Sequence, residues 1–332
     1  MFSWILLGLY LFAASILAIY GFNTCLVACL YWRKRTLTLA EPPLNEIPRV
    51  TVQLPVFDEL YVVERLIDAA AALDWPRDRL QIQVLDDSED ETTAIAQARV
   101  DHFRRRGLDI GLVHRMDRTG FKAGALAGGL KSATGEFVVI FDADFAPPVD
   151  FLKRTIPYFA RPAVGLVQAR WGHLNATYSA LTRAQSIALD GHFVVEQTAR
   201  SRNGLFFNFN GTAGVWRRTC IEQSGGWHGD TLSEDLDLSY RAQLGGWEMI
   251  FLPDVVAPAE IPPQIHAFKR QQFRWAKGST QCLFKLAPRI LTARNTSLFK
   301  RVEGILHLSG YMMNPMILLM VLALVPLMAM GI

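Results

Sequence analysis

From Phe2 to Tyr31 thirty consecutive residues carry no charge, and Arg33-Lys34-Arg35 follow at once. That run is longer than the roughly 20 apolar residues a helix needs to cross a bilayer. It predicts a transmembrane helix over residues 1–32. The basic start and small-residue cleavage site of a signal peptide are missing. A second stretch, Ile305 to Ile332, holds His307 and otherwise nothing that ionises near neutrality, with Lys300-Arg301 just before it. It predicts another membrane helix over 305–332, kinked at Pro315, a distortion that membrane helices tolerate when neighbours satisfy the freed backbone. Basic residues flank the inner side of both segments, which places the chain between them in the cytoplasm and the protein in a plasma or inner membrane. A chain that stops directly after a span reads as a piece of a longer protein.

Composition narrows the classes further. The hydrophobic share of 51% is concentrated at the two ends. A net charge of +3 gives no basic footprint for nucleic acid. Four cysteines (Cys25, Cys29, Cys220 and Cys282) are too few and too scattered for a disulfide frame or a zinc site. The core domain reads as reduced and cytosolic.

Residues 33–48 end in Glu41-Pro-Pro-Leu-Asn-Glu-Ile-Pro48 and read as a linker. Beyond it strand and helix alternate. Strands are expected at Val50–Leu54, Ile82–Leu85, Ile110–His114, Phe137–Phe141 and Val164–Ala169. Helices are expected at Glu59–Leu73, Thr92–Arg106, Lys122–Ser132, Ala180–Arg200 and Glu234–Leu244. Such alternation predicts an α/β fold with a mostly parallel sheet covered on both faces. Phe137–Phe141 is wholly apolar and so expected at the centre of the sheet. Sites in these sheets lie beyond the carboxyl ends of the strands.

Acidic pairs stand at two such ends. Asp142 and Asp144 are two apart at the end of an extended segment, so both side chains point to one face. Two carboxylates there call for a cation, and Mg²⁺ or Mn²⁺ prefers oxygen ligands and bridges to substrate phosphates. Asp86-Asp87-Ser88 follows another strand and suits hydrogen bonds from a nucleotide's base or ribose, though the same tripeptide serves as an ordinary turn. Thr119-Gly120-Phe121-Lys122-Ala123-Gly124 puts flexible backbone and Lys122 at a helix start, a place for phosphate. Ser233 caps the helix beginning at Glu234, and acids there suit the helix dipole. Alternatively, a carboxylate after the flexible Gly225–Asp230 run acts as general base, with the Trp227 ring approaching a sugar. Gln271, Arg274 and Trp275 share one helical face. Arg274 offers a fork for a diphosphate and Trp275 a platform for a sugar ring. Lys269, Arg270 and Lys277 around them suit a basic helix lying on a membrane surface.

In this order the chain resembles the processive inverting glycosyltransferases of family 2, the group of cellulose, chitin and hyaluronan synthases. Their signature of D, DxD, (T/S)ED and QxxRW is matched by Asp86/Asp87, Asp142-x-Asp144, Ser233-Glu234-Asp235 and Gln271-x-x-Arg274-Trp275. It is most similar to the cellulose synthase-like mannan and glucan synthases, through Gly120–Leu126, Phe141–Phe145, Val167–Trp171 and Phe209–Gly214. The resemblance implies a GT-A (Rossmann-like) catalytic domain over 49–286, with interfacial helices at its C-terminal end and a juxtamembrane connection over 287–304. It further implies a divalent cation on the DxD and inversion in one displacement. Asp235 would be the base. Pro55, Glu59, Asp86, Asp87, Lys122, Asp142, Gln271 and Arg274 would hold the nucleotide-sugar. Trp275, Asn210, Gly211, Thr212, Trp227 and Glu234 would meet the acceptor. Two departures mark this chain. Asp58 stands where the family usually has Asn, and the family carries more membrane helices after QxxRW.

The expected activity is hexose transfer from UDP-glucose or GDP-mannose to a growing β-linked polysaccharide. Transfer of one hexose to a membrane lipid, and an inactive assembly protein, are the alternatives. A soluble dehydrogenase is excluded because no G-x-G-x-x-G follows the first strand. The sugar, the base, the linkage and the oligomeric state stay open.

Overall fold

The computed structural model describes residues 1–37, 39–44 and 46–331. Thr38 and Asn45 of the expected linker, and Ile332 at the end of the second apolar segment, lie outside the described residues. The centre of the molecule is a seven-stranded sheet of β1 (Val50–Val56), β2 (Leu80–Asp86), β3 (Asp109–His114), β4 (Phe137–Ile140), β5 (Val164–His173), β6 (Gly214–Arg217) and β7 (Glu248–Ala259), in the order β3-β2-β1-β4-β6-β5-β7. All four residues of β4 are buried and the strand lies in the middle of the sheet, as its apolar sequence predicts.

The right-hand half departs from the expectation of a mostly parallel sheet. β6 runs antiparallel to both β4 and β5. Sequence reasoning passes over β6 because four residues, Gly-Val-Trp-Arg, carry no period. It passes over β7 because Pro253 and Pro258 argue against a strand. β7 is an edge strand whose ladder is formed with β5, and its register jumps between Ala169↔Leu252 and Arg170↔Val256, leaving Pro253 out of the ladder. Edge positions and bulges are where a strand tolerates proline.

Helices α1 (Phe2–Lys34), α2 (Val63–Ala71), α3 (Thr92–Arg105), α4 (Phe121–Ser132), α5 (Phe151–Thr155), α6 (Ala180–Asp190), α7 (Thr198–Arg202), α8 (Arg218–Gln223), α9 (Glu234–Leu244), α10 (Ile265–Leu291), α11 (Leu298–Leu308) and α12 (Met313–Ala329) surround it. α2 starts four residues later than expected. Glu59 lies in the turn before it, where its carbonyl accepts from Val62 and Val63. Between α6 and α7 the helix widens into a π segment, Gly191–Gln197.

Among the described residues two helices are long and apolar enough to cross a membrane: α1 and the stretch Gly310–Ala329. They pack side by side. The second apolar segment is not one helix from Ile305. It breaks after Leu308, and Pro315 falls in the first turn of α12, where a missing N–H removes no helical bond. Pro315 therefore starts this helix rather than kinking it, and Pro326 is the proline inside it. At the end of α1, Arg202 donates to the Lys34 and Arg35 carbonyls at 2.7 and 2.8 Å, and Lys34 donates back to the Arg202 carbonyl at 2.7 Å.

α10 crosses the N-terminus of α9 at Gly278. A Cβ there would overlap Ser233 Oγ and lie 3.0 Å from the Leu232 carbonyl carbon. The Ser233 hydroxyl therefore packs against α10 and makes no capping hydrogen bond to α9, contrary to expectation. Gly278→Ala is expected to cost about 1–3 kcal/mol by overpacking, seen as a lower thermal midpoint. Gly128→Ala in α4, with open space around it, is the control and should be neutral or slightly stabilising.

Candidate active site

The carboxyl ends of β1, β2 and β4 and the amino end of β6 share one edge of the sheet, because Ile140 pairs with Gly214 across antiparallel strands. Asp142 leaves β4 at this edge and its N–H donates to Thr212 Oγ1 at 2.9 Å. The DxD turn is backed by β7: Phe145 bridges to Ala259, and the Asp144 carbonyl accepts from Glu260 N at 3.2 Å. The Lys122 ammonium bonds to Asp142 Oδ1 and donates to the Gly211 carbonyl at 2.9 Å. Gly211 has φ +82°, and a Cβ on it would come 3.2 Å from Asp235 Oδ2 and 3.3 Å from Lys122 Nζ. Asp142, Lys122, Gly211, Thr212 and Asp235 thus meet at one point, with Glu234 beside them.

Negative charge is in excess there. Burial, then Asp142, pushes the Asp144 carboxyl up to about 7. Burial, then Glu234, pushes Asp235 up to about 7. Glu234 is raised by burial, with Lys122 opposing. Glu59 is raised by burial and by Asp142. Burial works to lower Lys122, yet Asp142, Glu234 and Asp235 carry it above the usual lysine range. Asp142, Asp144, Glu234 and Asp235 share one ammonium, with Glu59 beside Asp142, and that donor set fits a divalent cation.

Other expected residues have partners of their own. Asp86 is fully buried, accepting from Ser88 N at 3.1 Å and Thr93 Oγ1 at 2.6 Å, with His114 Nδ1 at 2.8 Å. Asp87 forms a two-pronged pair with Arg115. Arg118 lies 4.0 Å from Asp87 and stacks on Phe57, its guanidinium 3.1 Å from the ring centroid. Pro55 sits on β1 past the last pairing with β4 at Gln53↔Ile140. Asp58 has φ +52°, a region where Asn and Asp are favoured, and its Oδ1 accepts from Glu89 N at 3.0 Å. Only an acceptor is needed, so Asp serves where the family has Asn.

Two acceptor residues need revision. Trp227 is 7% exposed and packs edge-on against Trp216 at 6.0 Å, so its ring belongs to the core and offers no free sugar platform. The Asn210 side chain is also engaged: it accepts from Gln197 Nε2 at 2.6 Å and donates to His192 Nε2, 2.9 Å away.

Gln271, Arg274, Trp275 and Gly278 recur at i, i+3, i+4 and i+7 and share one face of α10. Since Gly278 touches Ser233, that face is turned toward the Ser233-Glu234-Asp235 corner. Gln271, Arg274 and Trp275 have no hydrogen-bond or ion-pair partner among the described residues. Lys269, Arg270, Phe273 and Lys277 point to solvent on the opposite side. His228, Asp230 and Asp237 bring possible ligand atoms within 4.8 Å of one another. Lys285 Nζ already sits among them, 2.7 Å from Asp230, 3.0 Å from Asp237 and 3.2 Å from His228 Nδ1. It ties the Gly225–Asp230 loop and α9 to α10. Sequence reasoning missed Arg115, Arg118, His192 and Gln197. Only their proximity in the fold singles them out.

The model of the glycosyltransferase like family 2 matches residues 48–278. The chain belongs to glycosyltransferase family 2. Among its relatives, the probable glucomannan 4-beta-mannosyltransferase 7 of Oryza sativa subsp. japonica is 44% identical over 279 residues, 81% of this chain and 48% of the relative. Glucomannan 4-beta-mannosyltransferase 2 of Arabidopsis thaliana is 41% identical over 286 residues, 82% of this chain and 54% of the relative. The chain spans about half the length of these curated relatives. Among solved structures, the mannosyltransferase PcManGT from Pyrobaculum calidifontis, in complex with GDP-Man and Mn²⁺, superposes with a TM-score of 0.74 at 26% identity, covering 97% of this chain and 87% of that one. The fold is GT-A, with a mixed sheet and an apolar helix near each end.

Gly211→Ala should strain a left-handed position and press on both Asp235 and Lys122. We expect glycosyl transfer to fall on the order of 10-fold or more, and the thermal midpoint to fall by only a few degrees because alanine at positive φ costs on the order of 1–2 kcal/mol, measured on the purified chain with a nucleotide-sugar donor.

Proposed function

We propose that this chain is the catalytic part of a membrane-anchored, inverting hexosyltransferase that extends a β-linked mannan or glucomannan, with GDP-mannose as donor. The observation that carries the reading is the meeting of Asp142, Lys122, Gly211 and Asp235 at one edge of the sheet, faced by the Gln271–Arg274–Trp275 side of α10. The names of the relatives support mannose and a polymer, and the bound GDP-Man of the archaeal structure supports the donor. The apolar helices and the outward basic-aromatic side of α10 support a membrane surface.

Asp142 and Asp144 would hold the divalent cation, Mn²⁺ or Mg²⁺, which supplies positive charge against the leaving diphosphate. Arg274 and Gln271, without side-chain partners among the described residues, would face the same phosphates. The acceptor hydroxyl attacks the anomeric carbon from the side opposite the diphosphate, and the bond to the diphosphate breaks as the new one forms. Asp235 takes the hydroxyl proton. Burial and Glu234, which raise its carboxyl to about 7, make it a stronger base than an exposed aspartate. Oδ1 is fixed by Leu236 N at 2.8 Å, which leaves Oδ2 on the Gly211 side to receive the proton.

Two substitutions separate binding from proton transfer. Asp142→Asn should abolish the metal-dependent part of GDP-mannose binding, and a chelator should do the same to the unsubstituted chain. Asp235→Asn should leave donor binding nearly intact and lower transfer by at least about 10²-fold. Calorimetry and a transfer assay read the pair. Full activity in the presence of chelator would remove the cation from the proposal.

Trp275→Ala should lose chain extension far more than donor hydrolysis. A polymer end must be held in line with the anomeric carbon, and misplacing it by about 1 Å can cost on the order of 10²-fold. Water needs no such platform. Product length and free mannose, measured together, test this; an equal fall in both would make Trp275 a packing residue.

A further inference from the structure

A hydrogen-bonded line runs from the catalytic turn into the π segment between α6 and α7. Gln197 Nε2 donates to Asn210 Oδ1 at 2.6 Å, which fixes the orientation of the Asn210 amide. Its Nδ2 then donates to His192 Nε2 at 2.9 Å. That makes Nε2 the acceptor, so the proton sits on Nδ1 and is donated to Glu196 Oε2 at 3.0 Å. Glu196 Oε1 accepts from Arg200 Nε at 2.9 Å. Arg200, 1% exposed, also stands 3.8 Å from buried Glu303. Every partner along the line has its donor or acceptor role set by the one before.

What the line holds is the residue before Gly211. The Asn210 N–H is itself fixed by Gln168 Oε1 at 3.1 Å, and Gln168 Nε2 donates to the Thr212 and Ala213 carbonyls, each at 3.1 Å. Ala213 carries φ +53°, uncommon outside glycine. A turn with two positive φ angles at 211 and 213 holds its shape only when its surroundings over-determine it. π segments are rare and occur often at functional sites.

We propose that His192 and Glu196 are positioning residues for glycosyl transfer: through Asn210 they hold the Gly211–Ala213 turn against Lys122, Asp142 and Asp235. The catalytic consequence rests on the transferase reading above, but the structural one does not. The Glu196 carboxyl is recessed, and despite the opposing effect of burial, His192 and Arg200 hold it well below the usual carboxylate range. It therefore keeps the charge that fixes the histidine tautomer.

The test uses the full chain in detergent or nanodiscs with two arms. Amide hydrogen exchange over residues 209–213 needs no substrate. Transfer from GDP-mannose to a manno-oligosaccharide gives kcat and KM. His192→Ala should raise exchange at Asn210 and Ala213 while β1 and β4 stay protected. It should lower kcat on the order of 10-fold to 10²-fold, with KM for GDP-mannose within about twofold. His192→Gln keeps an oxygen to accept from Asn210 and should recover most of both. Unchanged exchange at 209–213 in His192→Ala, exchange rising throughout the sheet, or a glutamine variant as impaired as alanine would each overturn the proposal. If the unsubstituted chain transfers no mannose, the donor reading fails while the exchange arm still decides the positioning role.

Discussion

Everything at this sheet edge is arranged around a charge imbalance. Asp142, Asp144, Glu234 and Asp235 share one ammonium, Lys122, and a fifth carboxyl, Glu59, stands beside Asp142. Isolated charges are costly to bury, and one counter-ion does not balance five. The protein meets part of the cost by letting several of these groups hold protons more tightly than free carboxyls do. On the proposed reading, a divalent cation held by Asp142 and Asp144 would balance the rest. Two consequences belong to one cause. A site that attracts a cation also raises the basicity of Asp235, so donor binding and proton transfer draw on the same crowding.

Crowding of this kind needs backbone that can come close. Gly211 lets the turn before β6 lie against Asp235 and Lys122 without a side chain between them. Gly229 does the same between loops, since a Cβ on it would lie 2.8 Å from Gly120 Cα. Gly278 lets α10 rest on the start of α9. Lys285 then ties the same helix to Asp230 and Asp237. The Q-x-x-R-W face is thereby held in register with Asp235 by packing at Gly278 and, two turns further along the same face, by the ion pairs of Lys285.

Much of this was legible in the sequence. Asp142 and Asp144 stood out because a wholly apolar strand precedes them, and the fold places that strand at the centre. The Gln271, Arg274 and Trp275 face could be read from helical spacing, whereas Asp235 is singled out only by the resemblance to family 2, since on local grounds Glu234 and Asp235 read equally well as the first turn of a helix. What could not be read depended on long-range pairing. β7 contains two prolines that only its edge position and register jump make tolerable. Ser233 looks like a helix cap until Gly278, 45 positions later, takes up its hydroxyl. Trp227 looks like a sugar platform because it follows two glycines, but Trp216 buries it. The aspartates at 86 and 87 read equally as ligands or turn residues, and their protein partners, His114 and Arg115, lie on the next strand or directly after it.

The link between the apolar helices and the site follows the same polar logic. Asn23 lies in the middle of α1, where an unpaired amide would be expensive if the helix sits in lipid. With its amide oriented to suit its neighbours, it donates to Glu303 at 2.6 Å. Glu303 is 2% exposed and stands beside Arg200. Tyr20, one turn earlier, donates to Ser309 Oγ at 2.7 Å. The first apolar helix is thus joined to α11 and, through Arg200 and Glu196, to the residue that precedes Gly211. Buried polar groups gain most when every member of a network is satisfied and lose most when one is not. On the membrane-anchored reading, displacement of α1 would take the Asn23 amide from Glu303, while Arg200 would keep Glu196, before any apolar contact of the sheet was disturbed. The anchor would then act on the site through charge satisfaction, and the apolar core would remain as it is.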